Sequence, residues 1–216
     1  MRARTRIKIC GLSTQGDVDA AVEAGADAIG FVFHPGSPRC ILLARAAALR
    51  QRLPPFVAPV GLFVNAERAL VESALAALPG LLLQFHGDES AAECAAYGRP
   101  YLRAARMAPG FDLLDFARRF EGAQGLLLDA HDEGWGGSGK VFDWSLVPAG
   151  VPGRRLVLSG GLHAGNVAAG IAQLRPGAVD VSSGVESSRG VKDPAAIRRF
   201  CDAVRDADAR LDDTPT

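Results

Sequence analysis

Residues 155–186 read RLVLSGGLHAGNVAAGIAQLRPGAVDVSSGVE, and they are punctuated as two successive strand–loop–helix units. RLVLS (155–159) and AVDVS (178–182) have strand length, residues 166–174 between them have helix length, and RPGA turns the chain back. Working outward, six more runs repeat the theme: RIKIC (6–10), AIGFVF (28–33), VAPVGLFV (57–64), LLLQFH (81–86), YLRAAR (101–106) and GLLLD (125–129). Helical patterns follow at 14–24, 43–53, 66–78, 90–97, 110–120, weakly near Ser145, and at 194–210. Near-continuous apolar strands separated by helices belong to a parallel sheet buried on both faces. Eight such units in 216 residues fit an α/β fold of the closed (β/α)8 TIM-barrel type, with an open doubly wound sheet as the runner-up. No Pro/Ser/Gly linker divides the chain, so residues 1–216 read as one domain with a polar tail from about residue 209.

Composition narrows the partners. Twenty-four basic residues balance twenty-four acidic ones, which leaves no global basic field for nucleic acid and favours a small charged metabolite. The cysteines at 10, 40, 94 and 201 form no C-x-x-C pair and read as free thiols of a reducing compartment, hence a cytoplasmic protein. No apolar run approaches the ~20 residues that span a bilayer, so no membrane partner is expected. His34, His86, His131 and His163 share no ligand spacing, so no metal is expected. Oligomeric state stays open between monomer and homodimer.

GWGGSGKV (134–141) imitates a nucleotide-binding P-loop, but Val141 stands where the Mg²⁺-ligating Ser or Thr belongs, and Pro148 cuts off the helix that should follow. A lid reading suits it better. It lies in a long glycine-rich loop after the sixth strand, with Trp135 as an apolar cover and Lys140 as an anion contact.

In a barrel, chemistry sits at the C-terminal strand ends. The loops after strands seven and eight commonly hold phosphate there, and here they contain Gly160-Gly161 and Ser182-Ser183-Gly184; residues 184–186 are expected to open a short helix aimed at the anion. The bland alternative is a pair of tight turns. Cys10 ends the first strand beside Lys8, where a lowered pKa would make it a base. Its bland alternative is a small buried hydrophobe. Asp129 ends the sixth strand with no helix directly after it to cap, and Arg39 sits on the loop after the second strand, where its fork suits a substrate carboxylate. Acid and base on opposite sides of an anchored sugar phosphate suit an aldose–ketose isomerisation, with neither metal nor cofactor required.

These residues fall into motifs that resemble one family. KICGL (8–12), GADAIGFVF (25–33), SPR (37–39), GLFVN (61–65), LQFHGDE (83–89), LLLDA (126–130), GGSGKVFDW (136–144), LSGGL (158–162) with Asn166, and DVSSGVE with GVKD (180–186, 190–193) resemble phosphoribosylanthranilate isomerase, in order. The resemblance implies an Amadori rearrangement of N-(5-phosphoribosyl)anthranilate to 1-(o-carboxyphenylamino)-1-deoxyribulose 5-phosphate, in tryptophan biosynthesis. It implies Cys10 as general base, Asp129 as general acid, Arg39 facing the anthranilate carboxylate, the two glycine loops on the phosphate, and Asp180 near the ribose. Ser13, Phe85, Ser138 and Ser159 depart from the family's usual residues, and Ser159 is the one expected to add a donor near the phosphate. Two other readings stand beside it: another sugar-phosphate isomerase or synthase of this fold, and a catalytically silent phosphate-binding barrel.

Overall fold

The computed structural model describes residues 4–130 and 141–212. Eight parallel strands pair in chain order: β1 (Arg6–Cys10), β2 (Ala28–Val32), β3 (Ala58–Phe63), β4 (Leu82–Phe85), β5 (Tyr101–Met107), β6 (Gly125–Ala130), β7 (Leu156–Leu158) and β8 (Ala178–Val181). β8 pairs back onto β1, which closes the barrel and excludes the open sheet. Around it lie α1 (Gln15–Glu23), α2 (Leu43–Arg50), α3 (Arg68–Ala77), α4 (Ala91–Ala95), α5 (Leu113–Arg119), α6 (Val167–Leu174) and α7 (Pro194–Asp212). A small antiparallel ribbon, β9 (Glu186–Ser188) and β10 (Val191–Lys192), precedes α7.

Local chemistry sets the ends of these elements. Thr14 caps α1 by accepting from the Asp17 amide, and the Asp17 carboxylate returns a bond to the Thr14 amide, which satisfies two otherwise orphaned donors. Ser90 and Glu93 repeat the device on α4.

Alternation along each strand then sorts side chains between two cores. Ile7, Ile9, Ile29, Phe31, Leu126 and Leu128 join Leu49, Val71, Phe116, Ile171 and Phe200 of the helices in one continuous buried layer. Burial of each such side chain stabilises by about 1.5–3 kcal/mol, so this layer holds the helices on. The alternate residues point inward. Leu102, Ala104, Leu127 and Val157, with Leu82 and Ala178, fill the lower barrel, and Cys10, Val32, Leu62 and Val64 line part of its C-terminal end. Phe85 belongs to the outer layer, its ring 6.2 Å from Phe63, 5.9 Å from Tyr97 and 6.1 Å from Tyr101, so this departure from the family pattern is a packing change.

Three local expectations are corrected. The weak helix near Ser145 is a single 3-10 turn, Trp144–Leu146, stopped by Pro148. The helix expected to open at Gly184 is likewise one 3-10 turn, Ser183–Val185, because Glu186 is drawn into β9. The last helix runs on to Asp212, two residues past its expected end at 210, with no Gly or Pro to stop it and Leu211 packed against the core. At RPGA, Arg175 caps α6 in the left-handed region (φ 48°), its amide donating to Ile171 O at 3.0 Å.

Candidate active site

Because Ile7 and Ile9 face the helices, Lys8 and Cys10 face the barrel interior. The β1–β8 register sets Lys8 opposite Asp180, and Lys8 Nζ donates to Asp180 Oδ1 at 2.9 Å with both side chains buried. Asp180 Oδ2 accepts from Ser159 Oγ at 3.4 Å. Ser159 therefore spends its hydroxyl on Asp180 instead of on the phosphate loop. On the other flank, a Cβ on Gly30 would lie 2.7 Å from Cys10 Sγ and 3.1 Å from Lys8 Nζ. Glycine is the residue that leaves space for both groups. A glycine inside an apolar strand is the sequence signal that could have pointed to it.

Burial pushes the Cys10 thiol upward, Lys8 pulls it down, and Asp180 adds a further push upward; the net direction is up. The expectation of a lowered thiol pKa is thereby corrected. Desolvation of the thiolate outweighs one ammonium whose charge is already shared with Asp180.

Asp129 is also buried, at the mouth end of β6. Its Oδ1 accepts from the Ala130 amide at 3.0 Å. In the closed order β6–β7–β8–β1, two strands separate Asp129 from Cys10, so both line one mouth from different sides. A Cβ on Gly160 would meet Ala130 N at 2.7 Å and Asp129 Oδ1 at 3.0 Å. The β7 loop thus packs directly on the Ala130 amide and the Asp129 carboxylate. Arg106 is the partner of Asp129 in the β5–β6 register and forms an ion pair with Asp88; it was not singled out from the sequence. Its position, third in the inward series Leu102, Ala104, Arg106, was readable from the period of two.

The two glycine loops meet. Gly160 (φ 75°) and Gly161 (φ 63°) are both left-handed, and Asn166 fixes the loop by donating to Gly161 O at 3.0 Å while accepting from His163 N at 2.9 Å. A Cβ on Gly184 would fall 1.8 Å from Leu162 O, so that position admits only glycine without rearrangement. Among the described residues the amides of Gly160, Gly161, Ser183 and Gly184 donate to no carbonyl or side chain. Converging free amides suit an anion. The Ser182 hydroxyl is engaged within the protein: its Oγ donates to Cys10 O at 3.1 Å and accepts from Lys192 Nζ at 3.2 Å.

Arg39 is buried, with its aliphatic stem against Gly11, where a Cβ would lie 2.5 Å from Cδ. Its Nε and Nη2 donate to Glu186 at 2.6 and 2.8 Å. Nη1 carries no hydrogen bond among the described residues. The proposed lid residues Trp135 and Lys140, with His131 and Ser138, lie outside the described residues. No group of three or more His, Cys, Asp or Glu among the described residues can hold a metal ion.

The family model described as N-(5'phosphoribosyl)anthranilate (PRA) isomerase matches residues 7–203. The chain belongs to this family. It is 68% identical over 208 residues to the N-(5'-phosphoribosyl)anthranilate isomerase of Methylibium petroleiphilum, covering 96% of this chain and 97% of that protein. The phosphoribosyl anthranilate isomerase structure from Thermus thermophilus superposes with a TM-score of 0.84 at 34% identity, over 94% of this chain and 99% of that one. A second solved structure, of phosphoribosyl anthranilate isomerase in complex with reduced 1-(o-carboxyphenylamino)-1-deoxyribulose 5-phosphate, has a TM-score of 0.79 at 37% identity, over 94% and 99%.

His86, in the family-like LQFHGDE, is buried and lies 2.6 Å from Gln84. Burial, then the charges of Lys8, Arg103 and Arg106, push its pKa down to about 3 from the usual 6.5. The unfolded chain therefore takes up a proton below pH 6.5 that the native state refuses until about pH 3. His86 favours the native state fully above pH 6.5, and that contribution fades as pH falls. Between pH 7.5 and pH 5 the loss traceable to His86 should be about 2 kcal/mol. Urea unfolding of the parent and His86→Gln at both pH values measures it; parallel losses in the two proteins would refute the assignment.

Proposed function

We propose that this chain converts N-(5'-phosphoribosyl)anthranilate to 1-(o-carboxyphenylamino)-1-deoxyribulose 5-phosphate by general acid–base catalysis at the barrel mouth. The observation that carries the reading is the convergence of Cys10, Asp129 and the two anion-ready glycine loops on one end of the barrel. In the proposed sequence the free amides of Gly160, Gly161, Ser183 and Gly184 hold the 5-phosphate, and Asp180 lies beside the ribose. Asp129, in its protonated form, donates to the furanose ring oxygen as the C1–O bond breaks, which leaves an iminium between C1 and the anilino nitrogen. Cys10, as thiolate, takes the C2 proton. The C2–H electron pair forms the C1–C2 double bond, the iminium pair returns to nitrogen, and the resulting enolamine tautomerises to the C2 ketone. Arg39 faces the anthranilate carboxylate.

Lys8 has a supporting part. Paired with Asp180 and adjacent to Cys10, it stabilises the thiolate when that forms, while Ser182 ties the phosphate loop to the Cys10 carbonyl. The sequence uses no cofactor. The four free cysteines support a cytoplasmic setting, and among the described residues no helix is long and apolar enough to cross a membrane.

The direct test is turnover of freshly generated phosphoribosylanthranilate, followed by loss of its fluorescence. Enzymatic turnover upholds the reading. Binding of a product analogue without turnover would overturn it in favour of a silent phosphate-binding barrel.

A further inference from the structure

Arg39, Glu186 and Lys192 form a buried cluster in which two cations share one carboxylate. Their side chains are 6%, 4% and 0% exposed. Glu186 accepts from Arg39 Nε and Nη2, from Lys192 Nζ at 2.7 Å and from the Gly190 amide at 3.0 Å. Lys192 also donates to Ser182 O at 2.9 Å. The β9–β10 ribbon that carries both residues rests on the loop of Arg39, where a Cβ on Gly190 would come 3.1 Å from Pro38 O.

Charge accounting gives this cluster a direction. Burial of two cations against one anion leaves one unit of positive charge poorly compensated, a costly arrangement unless a further anion joins it. Burial, set against its ion pair with Glu186, leaves the Lys192 pKa below its ordinary value, as expected of a cation in surplus. The bidentate grip of Glu186 takes the Nε/Nη2 edge of the guanidinium and leaves Nη1 for a ligand.

We propose that Glu186, braced by Lys192, is a positioning residue that holds the Arg39 guanidinium with its Nη1 edge toward the substrate carboxylate. This rests on the proposed function, in which Arg39 meets that carboxylate. A short carboxylate-bearing strap, 147 residues distant in sequence from Arg39, thus sets how the enzyme recognises the anthranilate end of its substrate.

The test compares two substrates: phosphoribosylanthranilate and the phosphoribosyl derivative of aniline, which lacks the ortho carboxylate. The readout is the ratio of their kcat/KM values. Glu186→Gln should lower that ratio by about tenfold, through a raised KM for the carboxylate substrate alone, with the competitive inhibition constant of inorganic phosphate unchanged within about twofold. Lys192→Met should lower the ratio in the same sense and serves if Glu186→Gln fails to fold by circular dichroism. Equal losses on both substrates, or a matching loss of phosphate affinity, would mean that the strap merely supports the loops, and would overturn the proposal. Arg39→Met separates the layers. If it abolishes the discrimination while neither strap variant changes it, the positioning inference alone fails. If it leaves the discrimination intact, the carboxylate assignment of Arg39 fails and takes the inference with it, and a parent that turns over neither substrate overturns both along with the proposed activity.

Discussion

Asp129→Asn should lower kcat for the rearrangement by on the order of 10³-fold while a product analogue still binds within a few-fold of the parent. Asparagine is nearly isosteric with aspartate and keeps an oxygen able to accept from the Ala130 amide, the 3.0 Å bond made by Oδ1 in the parent. The close seat of Gly160 against this residue is likewise undisturbed. What the amide cannot do is release a proton to the ring oxygen as the C1–O bond breaks. A group that acts only on the developing charge of the transition state should appear in kcat and not in binding. The assignment is falsified if Asp129→Asn retains more than about a tenth of parental kcat at saturating substrate. A variant that loses analogue binding in proportion to activity would instead mark Asp129 as a substrate-binding group.

Cys10→Ser should cost on the order of 10²–10³-fold in kcat/KM and should also change the shape of the pH profile. A serine hydroxyl ionises far above a thiol, so it offers no usable base near neutrality. The direction of the Cys10 pKa supplies the second readout. Burial pushes the thiol above its ordinary value despite Lys8, so the thiolate is the minor form near neutral pH and its population grows as pH rises. The reactive form holds its one proton on Asp129 and none on the thiol, so its population is constant between the two ionisations. Parental kcat/KM should therefore stay level across neutral pH and fall on the alkaline side through the raised thiol ionisation, and that fall should vanish in Cys10→Ser. Persistence of the alkaline fall in the variant would assign it to another group and remove Cys10 from the role of base. A parental profile that keeps climbing from neutral into alkaline pH would overturn the pairing of Asp129 as acid with Cys10 as base.

These two predictions rest on residues that are legible in one dimension, whereas the partners that surround them are not. Cys10 and Asp129 each end an apolar strand, and a barrel gives a strand end its meaning. The glycine loops at 160–161 and 182–184 were visible for the same reason, since glycine in consecutive strand-to-helix turns is a local signal. The parts played by Gly30, Arg106, Glu186 and Lys192 are not legible in the sequence, because they depend on partners from other strands and loops. Gly30 matters only because Cys10 and Lys8 lie across the β1–β2 register, and Glu186 only because a ribbon folds back on the loop of Arg39.

The amino-acid sequence by itself determined the number and order of the strands, the placing of Cys10, Asp129 and the two glycine loops at strand ends, and the family motifs that bind them together. Periodicity, capping and turn chemistry are local, so they survive in a linear string. Tertiary structure alone decided that the sheet closes, that Ser182 and Ser159 spend their hydroxyls on Cys10 and Asp180, that the Cys10 thiol is pushed up instead of down, and that Arg39 is gripped by Glu186. Those outcomes depend on burial and on charges brought together from distant parts of the chain. Desolvation and Coulomb energies are set by distance in space, which the order of residues does not specify.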